Sequence, residues 1–357
     1  MKRKILGAIA LFAFFTGLFA GCGGVRRTAD VHVFYYTYSD AYISTVRAAL
    51  DRSLEAAGIA FQDHDANNSQ TTQTEQIRTA VTKGAKLLAV NIVTTGSDDA
   101  AAGIVDLAKS AGIPVIFFNR EVSDSVVNRY ENCAYIGTNA TEAGELQGDM
   151  IGDYLTENFQ KTDLNGDGKI SYILFMGEKG NNEAIWRTRY SVENANRKLT
   201  AAGYPELTFY DPANSDRYLP DREGKWSAQA ANEAMTTALT AYNAANGNMI
   251  ELVICNNDNM AEGAITALQG AGYNTGAEGS VTVPVFGVDA IDAAKALIRA
   301  GKMTGTVTQD GNLMASALKT AVENGLSGRK LTDNAGDFSV DSAAAKIRIP
   351  YGVYTGD

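Results

Sequence analysis

Runs rich in β-branched and aromatic residues alternate with amphipathic helical stretches along almost the whole chain, and no other feature restricts the fold as much. Residues 31–36, 87–93 and 114–118 read as buried strands, because each is a short, continuous apolar run bounded by turn residues. Between them, residues 41–57, 71–83 and 97–110 carry apolar side chains at helical spacing. Gly58, Gly84 and Gly112 stand at the ends of these stretches, where a left-handed residue closes a helix. The rhythm restarts after Gly137, with strands expected at 170–176, 207–210, 252–255 and 283–288. Such repeats build parallel sheets covered by helices on both faces. Two units in 357 residues predict an α/β protein of two doubly wound, Rossmann-like lobes.

The N-terminus has the layout of an export signal. Met1-Lys2-Arg3-Lys4 precedes an uncharged apolar stretch over 5–21, which ends in Ala20-Gly21-Cys22-Gly23. This end resembles the bacterial lipoprotein box in which the cysteine becomes the lipidated first residue, although Phe19 stands where leucine is usual. The expected division is a signal peptide over 1–21 and a lipidated tether over 22–30; the alternative is an uncleaved membrane helix. Apart from Cys22, the cysteines are Cys133 and Cys255, a possible pair in an oxidising compartment, here read as buried thiols because each lies near a strand in a different half. A net charge of −10 with only two histidines argues against a nucleic-acid partner, which needs a basic footprint.

In open α/β sheets ligands bind beyond the carboxyl ends of the strands, where loops and helix N-termini converge. The residues there are polar: Tyr38-Ser39-Asp40, Asn119-Arg120-Glu121, Asn256-Asn257-Asp258 and Asp289. Each alone is an ordinary cap or turn residue. Together with Asp163-Leu-Asn-Gly-Asp-Gly168 and Pro284-Val-Phe-Gly-Val-Asp289-Ala290, they make the chain resemble the glucose/galactose-binding proteins of ABC transport systems, over nearly the whole mature length. The resemblance implies a type I periplasmic binding protein: two lobes joined by a three-strand hinge, with crossings near Thr138, Gln309 and Lys346. It places 31–138 plus 310–345 in the N-terminal lobe and 139–309 plus 346–357 in the C-terminal lobe.

Carried over residue by residue, the resemblance implies that Asp40, Tyr42 and Asn119 form one wall of a sugar site. Asn181, Glu183, Arg187, Trp226, Asn257, Asp289 and Gln309 form the other. Carboxylates, amides and a guanidinium suit a hydroxylated ligand, since hydrogen bonds with an ionised partner are the strong ones. Tyr42 and Trp226 would cover the C–H faces of a pyranose; Trp226 read by itself is also a helix-entry anchor. Asn181, Glu183 and Gln309 depart from the family's histidine, aspartate and asparagine, and Trp186 adds bulk. The longer arms of Glu183 and Gln309 are expected to carry their polar groups deeper into the pocket.

Asp163 to Ser171 reproduces the first nine positions of an EF-hand loop. Asp163, Asn165, Asp167 and Ser171 supply side-chain oxygens, Lys169 a carbonyl, and Gly166 the sharp turn. Position twelve is Leu174, so the loop cannot complete a shell alone. The resemblance implies that Glu251 completes it around a structural calcium ion; an Asx-rich turn without metal is the alternative. A glycosidase using Asp40, Glu183, Asp289 and Arg187 is a rival, as are a sugar-responsive transcription factor and a binding protein for ribose or a nucleoside. Against the first, no nucleophile or metal-hydrolase motif is found, and His32 and His64 read as structural strand residues. Against the second, a signal segment stands where a DNA-binding helix would be. The expectation is therefore a non-enzymatic, monomeric hexose-binding lipoprotein on the outer face of a bacterial membrane. It would deliver sugar to an ABC permease or a chemoreceptor.

Overall fold

A computed structural model describes residues 29–356; the signal stretch and Cys22 lie outside them. The first lobe runs β1 (Val31–Tyr35), α1 (Ala41–Ala56), β2 (Phe61–Asp65), α2 (Gln70–Thr82), β3 (Leu87–Val90), α3 (Asp99–Ala111), β4 (Val115–Phe118), α4 (Asp124–Val127) and β5 (Cys133–Gly137). The chain then enters the second lobe with α5 (Ala140–Thr162), β6 (Ser171–Met176), α6 (Asn182–Ala201), β7 (Thr208–Phe209), β8 (Leu219–Pro220) and α7 (Ala228–Ala241). There follow β9 (Leu252–Cys255), α8 (Asp258–Gly270), β10 (Val285–Asp289), α9 (Asp292–Arg299) and β11 (Gly305–Gln309). The chain returns to the first lobe for α10 (Gly311–Leu326), β12 (Ser339–Val340) and β13 (Lys346–Arg348), and ends in the second with β14 (Tyr351–Tyr354).

The first sheet has the order β12-β13-β5-β4-β3-β1-β2, and the second β14-β11-β10-β9-β6-β7 with β8 also on β6. All pairings are parallel except β12 with β13 and β11 with β14. Strand alternation splits each core in two. Val31, Val33 and Tyr35 pack on one face of the first sheet and Phe34 on the other, while Ile254 and Val253 divide likewise in the second. Burial on both faces is why these strands read as unbroken apolar runs. Strand β2, Phe-Gln-Asp-His-Asp, escapes that pattern because it is an edge strand and only partly buried.

One boundary needs correction. Lys346 to Arg348 pair with Tyr135 to Gly137 in the first sheet, so β13 belongs to the first lobe and the third crossing lies between Arg348 and Tyr351, beyond Lys346. Lys346 is buried there and ion-paired at 2.8 Å to Glu121 and 2.7 Å to Asp124, which holds the last strand before the crossing in register. The chain leaves the first sheet after Gly137 and the second after Gln309.

Cys133 and Cys255 are free, buried and in different lobes; burial pushes the Cys133 thiol up to about 12. His32 Nδ1 lies 2.9 Å from His64 Nε2 across β1 and β2, and the His64 ring stacks on Phe34 with centroids 4.6 Å apart. Burial, with His32 beside it, pushes His64 down to about 4, so the pair packs as neutral rings. No helix among the described residues is long and apolar enough to cross a membrane.

Candidate functional site

Both sheets turn their carboxyl ends toward one cavity between the lobes. All ten residues expected at a ligand line it: Asp40, Tyr42, Asn119, Asn181, Glu183, Arg187, Trp226, Asn257, Asp289 and Gln309. Tyr36, Ile43 and Arg120 line it too. Arg120 follows Asn119 in the same post-strand loop, so the rule that marks Asn119 also marks its neighbour. Tyr36 and Ile43 carry no comparable signal, since an aromatic at a strand end or an isoleucine in a helix is ordinary core.

On the first wall, Asp40 caps α1. Its Oδ1 accepts the Ile43 N–H at 2.8 Å and its Oδ2 the Tyr36 hydroxyl at 2.6 Å, which fixes the carboxylate plane. The Arg120 guanidinium lies 3.7 Å from the centre of the Tyr36 ring. Asn119 sits in left-handed backbone at φ 61°, and its Oδ1 accepts a bond from Asn91 Nδ2 at 3.1 Å, so its own amide N–H groups remain to donate. Tyr42 is buried, with its hydroxyl 3.7 Å from the Met314 sulfur.

On the second wall Arg187 is the centre. Its Nη1 donates to the Asn256 carbonyl at 2.8 Å, and its Nη2 to Gln309 Oε1 and the Tyr351 hydroxyl, both at 3.2 Å. Asp289 Oδ1 lies 3.9 Å from Nη1. Burial pushes the Asp289 carboxyl up against the pull of Arg187. Asn257 caps α8 through Met260 N–H and donates to the Trp226 carbonyl at 3.3 Å. Trp226 immediately precedes Ser227, the cap of α7, so it is both helix-entry residue and cavity wall. Gly177 makes room for it, since a Cβ there would run into the indole. Trp226, Asp289 and Asn119 all hold positive φ, strain of about 1–3 kcal/mol each that clusters at functional sites.

Two departures from the family pattern turn partly away from the cavity. Asn181 Oδ1 caps α6 through Ala184 N–H, and its Nδ2 donates to Thr95 Oγ1 of the first lobe at 3.1 Å. Glu183, expected to carry its polar end deeper into the pocket, reaches across the cleft: its Oε1 accepts the Glu121 N–H at 2.8 Å. Burial pushes its carboxyl up. Arg120 Nη2, Glu183 Oε2, Arg187 Nε, Trp226 Nε1 and Gln309 Nε2 are buried without a protein partner. All belong to cavity-lining residues, so these buried, unpartnered atoms are four donors and one carboxylate acceptor. Buried polar atoms normally find a partner, and a small molecule rich in hydroxyls, which both donate and accept, satisfies this set.

In the loop from Asp163 to Ser171 the Asp and Asn side chains fold back onto the loop's own backbone N–H groups. Asp163 accepts the N–H groups of Gly166, Asp167 and Gly168; Asn165 accepts that of Asp167, and Asp167 that of Lys169. Gly166 holds φ 72°, as the turn requires. The parallel pairing of β6 with β9 brings Glu251 alongside; its Oε1 accepts Leu164 and Asn165 N–H, and its Oε2 that of Ser171. Ser171 Oγ donates to the Met249 carbonyl. Among the described residues no three His, Cys, Asp or Glu side chains are gathered into a metal-holding group. The donor chemistry nevertheless fits a hard cation: the oxygens are carboxylate, amide and carbonyl, and a fully buried carboxylate closes the loop.

A family model described as a periplasmic binding protein domain matches residues 31–330. The D-galactose/methyl-galactoside binding periplasmic protein MglB of Haemophilus influenzae is 33% identical over 355 residues, covering 98% of this chain and 96% of that protein. A putative rhizopine-binding protein of Rhizobium meliloti is 28% identical, covering 87% and 86%. Among solved structures, an ABC transporter solute binding protein from Clostridium phytofermentans with bound β-D-glucose superposes with a TM-score of 0.71 at 20% identity, covering 91% of this chain and 94% of that one. The two-lobed fold, the cavity between the lobes and these matches over almost the full length agree: the chain belongs to the periplasmic binding protein family.

Proposed function

We propose that the protein captures a hexose, D-glucose or D-galactose, between its lobes outside the cytoplasm and offers the closed form to an ABC permease. The observation that carries this reading is a cavity lined by buried donors without protein partners, by the carboxyl groups of Asp40, Glu183 and Asp289, and by Tyr42 and Trp226. It suits a molecule with hydroxyls around its edge and C–H groups on its faces. The galactose-binding relative, one third identical over nearly the full length, supports the sugar class. Ligand contacts both lobes only when they are closed, so binding shifts the open–closed equilibrium by its differential affinity. The second reading, another small sugar, draws on relatives named for D-xylose and rhizopine. Titrating the purified protein with glucose and galactose, followed by calorimetry and tryptophan fluorescence, tests the assignment; silence toward both sugars overturns the hexose.

Three further parts belong to the same reading. Calcium held by the Asp163 loop and Glu251 would stiffen the second lobe. Cys22 would carry the lipid, and an unchanged precursor mass under a signal-peptidase II inhibitor would sink that assignment. The family consists of solute-binding proteins, which suits a monomer that binds without chemistry and meets a permease or a chemoreceptor.

A further inference from the structure

Among the described residues, four hydrogen bonds or ion pairs cross the mouth of the cleft directly. Asn181 Nδ2 donates to Thr95 Oγ1 at 3.1 Å, Asn68 Nδ2 to the Glu223 carbonyl at 3.1 Å, and Arg120 Nη1 pairs with Glu178 Oε2 at 3.1 Å. The fourth, Glu121 N–H to Glu183 Oε1 at 2.8 Å, is the shortest and is part-buried, with Glu183 itself buried. Both of its ends are fixed. Glu183 stands in the first turn of α6, and the Glu121 side chain is held by Lys346 Nζ and Arg348 Nη2, each at 2.8 Å, on the strand that leads into the third crossing. The other oxygen of Glu183 is buried, belongs to the cavity wall and has no protein partner.

We propose that Glu183 is a closure latch with two faces: Oε1 joins the lobes through Glu121 N–H while Oε2 accepts a hydroxyl of the ligand, so one carboxylate holds the cleft shut and senses its contents. The ligand half rests on the sugar-binding reading; the latch half does not. Arm length decides the latch. An aspartate ends about 1.5 Å earlier, one C–C bond, which takes a 2.8 Å contact beyond hydrogen-bonding range. Glutamine keeps the reach and one acceptor oxygen for Glu121 N–H, but turns an N–H donor toward the cavity. The latch also implies that some protein closes without ligand, since this contact needs none.

The test separates the two faces. Spin labels on Asn67→Cys and Arg222→Cys, exposed residues on opposite sides of the cleft mouth, read the open and closed populations by pulsed electron spin resonance, while the buried Cys133 and Cys255 escape labelling. Without sugar, Glu183→Asp lowers the closed fraction at least about fivefold and Glu183→Gln leaves it near the parent's. Thr95→Val, which breaks the Asn181 bridge outside the cavity wall, lowers it in the same direction and serves as a second variant if Glu183→Asp folds poorly. With glucose or galactose, Glu183→Gln weakens binding by about tenfold or more, the loss of a charged hydrogen-bond acceptor. A closed fraction unchanged in a folded Glu183→Asp overturns the latch, whatever Thr95→Val does. Parent-like affinity in Glu183→Gln overturns the ligand contact. If the parent binds neither sugar, the hexose reading fails and the sugar-free populations still decide the latch.

Discussion

Arg187 Nη2 lies 3.2 Å from the hydroxyl oxygen of Tyr351, and the same oxygen accepts the Thr138 hydroxyl at 2.7 Å. With Gln309 also on Nη2, the guanidinium that lines the cavity is tied to residues at all three crossings between the lobes. Tyr351→Phe removes the shared oxygen and strands a buried guanidinium N–H and a buried hydroxyl. Leaving such groups unpaired costs about 1–3 kcal/mol, so sugar affinity is expected to fall about tenfold and the melting temperature by several degrees. Calorimetry and a thermal melt check it; parent values in both would remove Tyr351 from the coupling.

Asp289 faces Arg187 at 3.9 Å with both side chains buried. Asp289→Ala leaves the guanidinium charge without its nearest carboxylate and removes an acceptor from the wall. Losing one member of a buried pair destabilises the fold strongly, and losing an acceptor at the ligand costs about 1–3 kcal/mol, so affinity is expected to fall by about tenfold or more. An isotherm matching the parent's would refute the placement of Asp289 at the ligand.

Gly177 lies against the indole of Trp226. Gly177→Ala forces the ring out of its seat, an overpacking of about 1–3 kcal/mol. The fluorescence response to sugar is expected to shrink together with affinity. A full response from the variant would show that Trp226 does not cover the ligand.

Glu251 is fully buried and its carboxylate holds both ends of the acidic loop. If the loop takes calcium, a ligand at 100 times its dissociation constant adds about 2.7 kcal/mol of stability. The parent is expected to melt several degrees higher with calcium than with chelator, and Glu251→Gln to lose that increment. Equal melting of the parent in both conditions would count against a stabilising site.

Burial and the neighbouring Asp51 push Asp63 up to about 7 from a usual 3.8. The folded state therefore holds a proton that the unfolded chain has released, and stability falls as pH rises from about 4 toward 7. Asp63→Asn cannot ionise. Relative to the parent, the variant is expected to gain stability as pH rises across that window and to keep the gain at pH 8. Urea titrations at pH 5 and pH 8 read it; an equal difference at the two pH values would refute the shift.

Part of the site was legible by a local rule: Asp40 and Asn257 are helix caps that follow strands, and a doubly wound sheet delivers such caps to its carboxyl edge. Asn181, Glu183, Arg187, Trp226 and Gln309 came from the family resemblance, since no local pattern marks them. Lys346 was assigned to the wrong lobe because a three-residue strand has no periodicity to read, and its partner is settled only by the pairing with β5.

The sequence by itself determined the alternation of strand and helix, and hence the two parallel sheets and the edge where a ligand goes, since these follow from short-range patterns of side-chain size and polarity. The tertiary structure alone decided which atoms remain for the ligand. Glu183 Oε1 meets a backbone N–H 62 residues away, and Arg187 meets Tyr351 at a separation of 164. Hydrogen-bond partnership depends on distances of a few tenths of an ångström between segments far apart in the chain, and no local pattern records them.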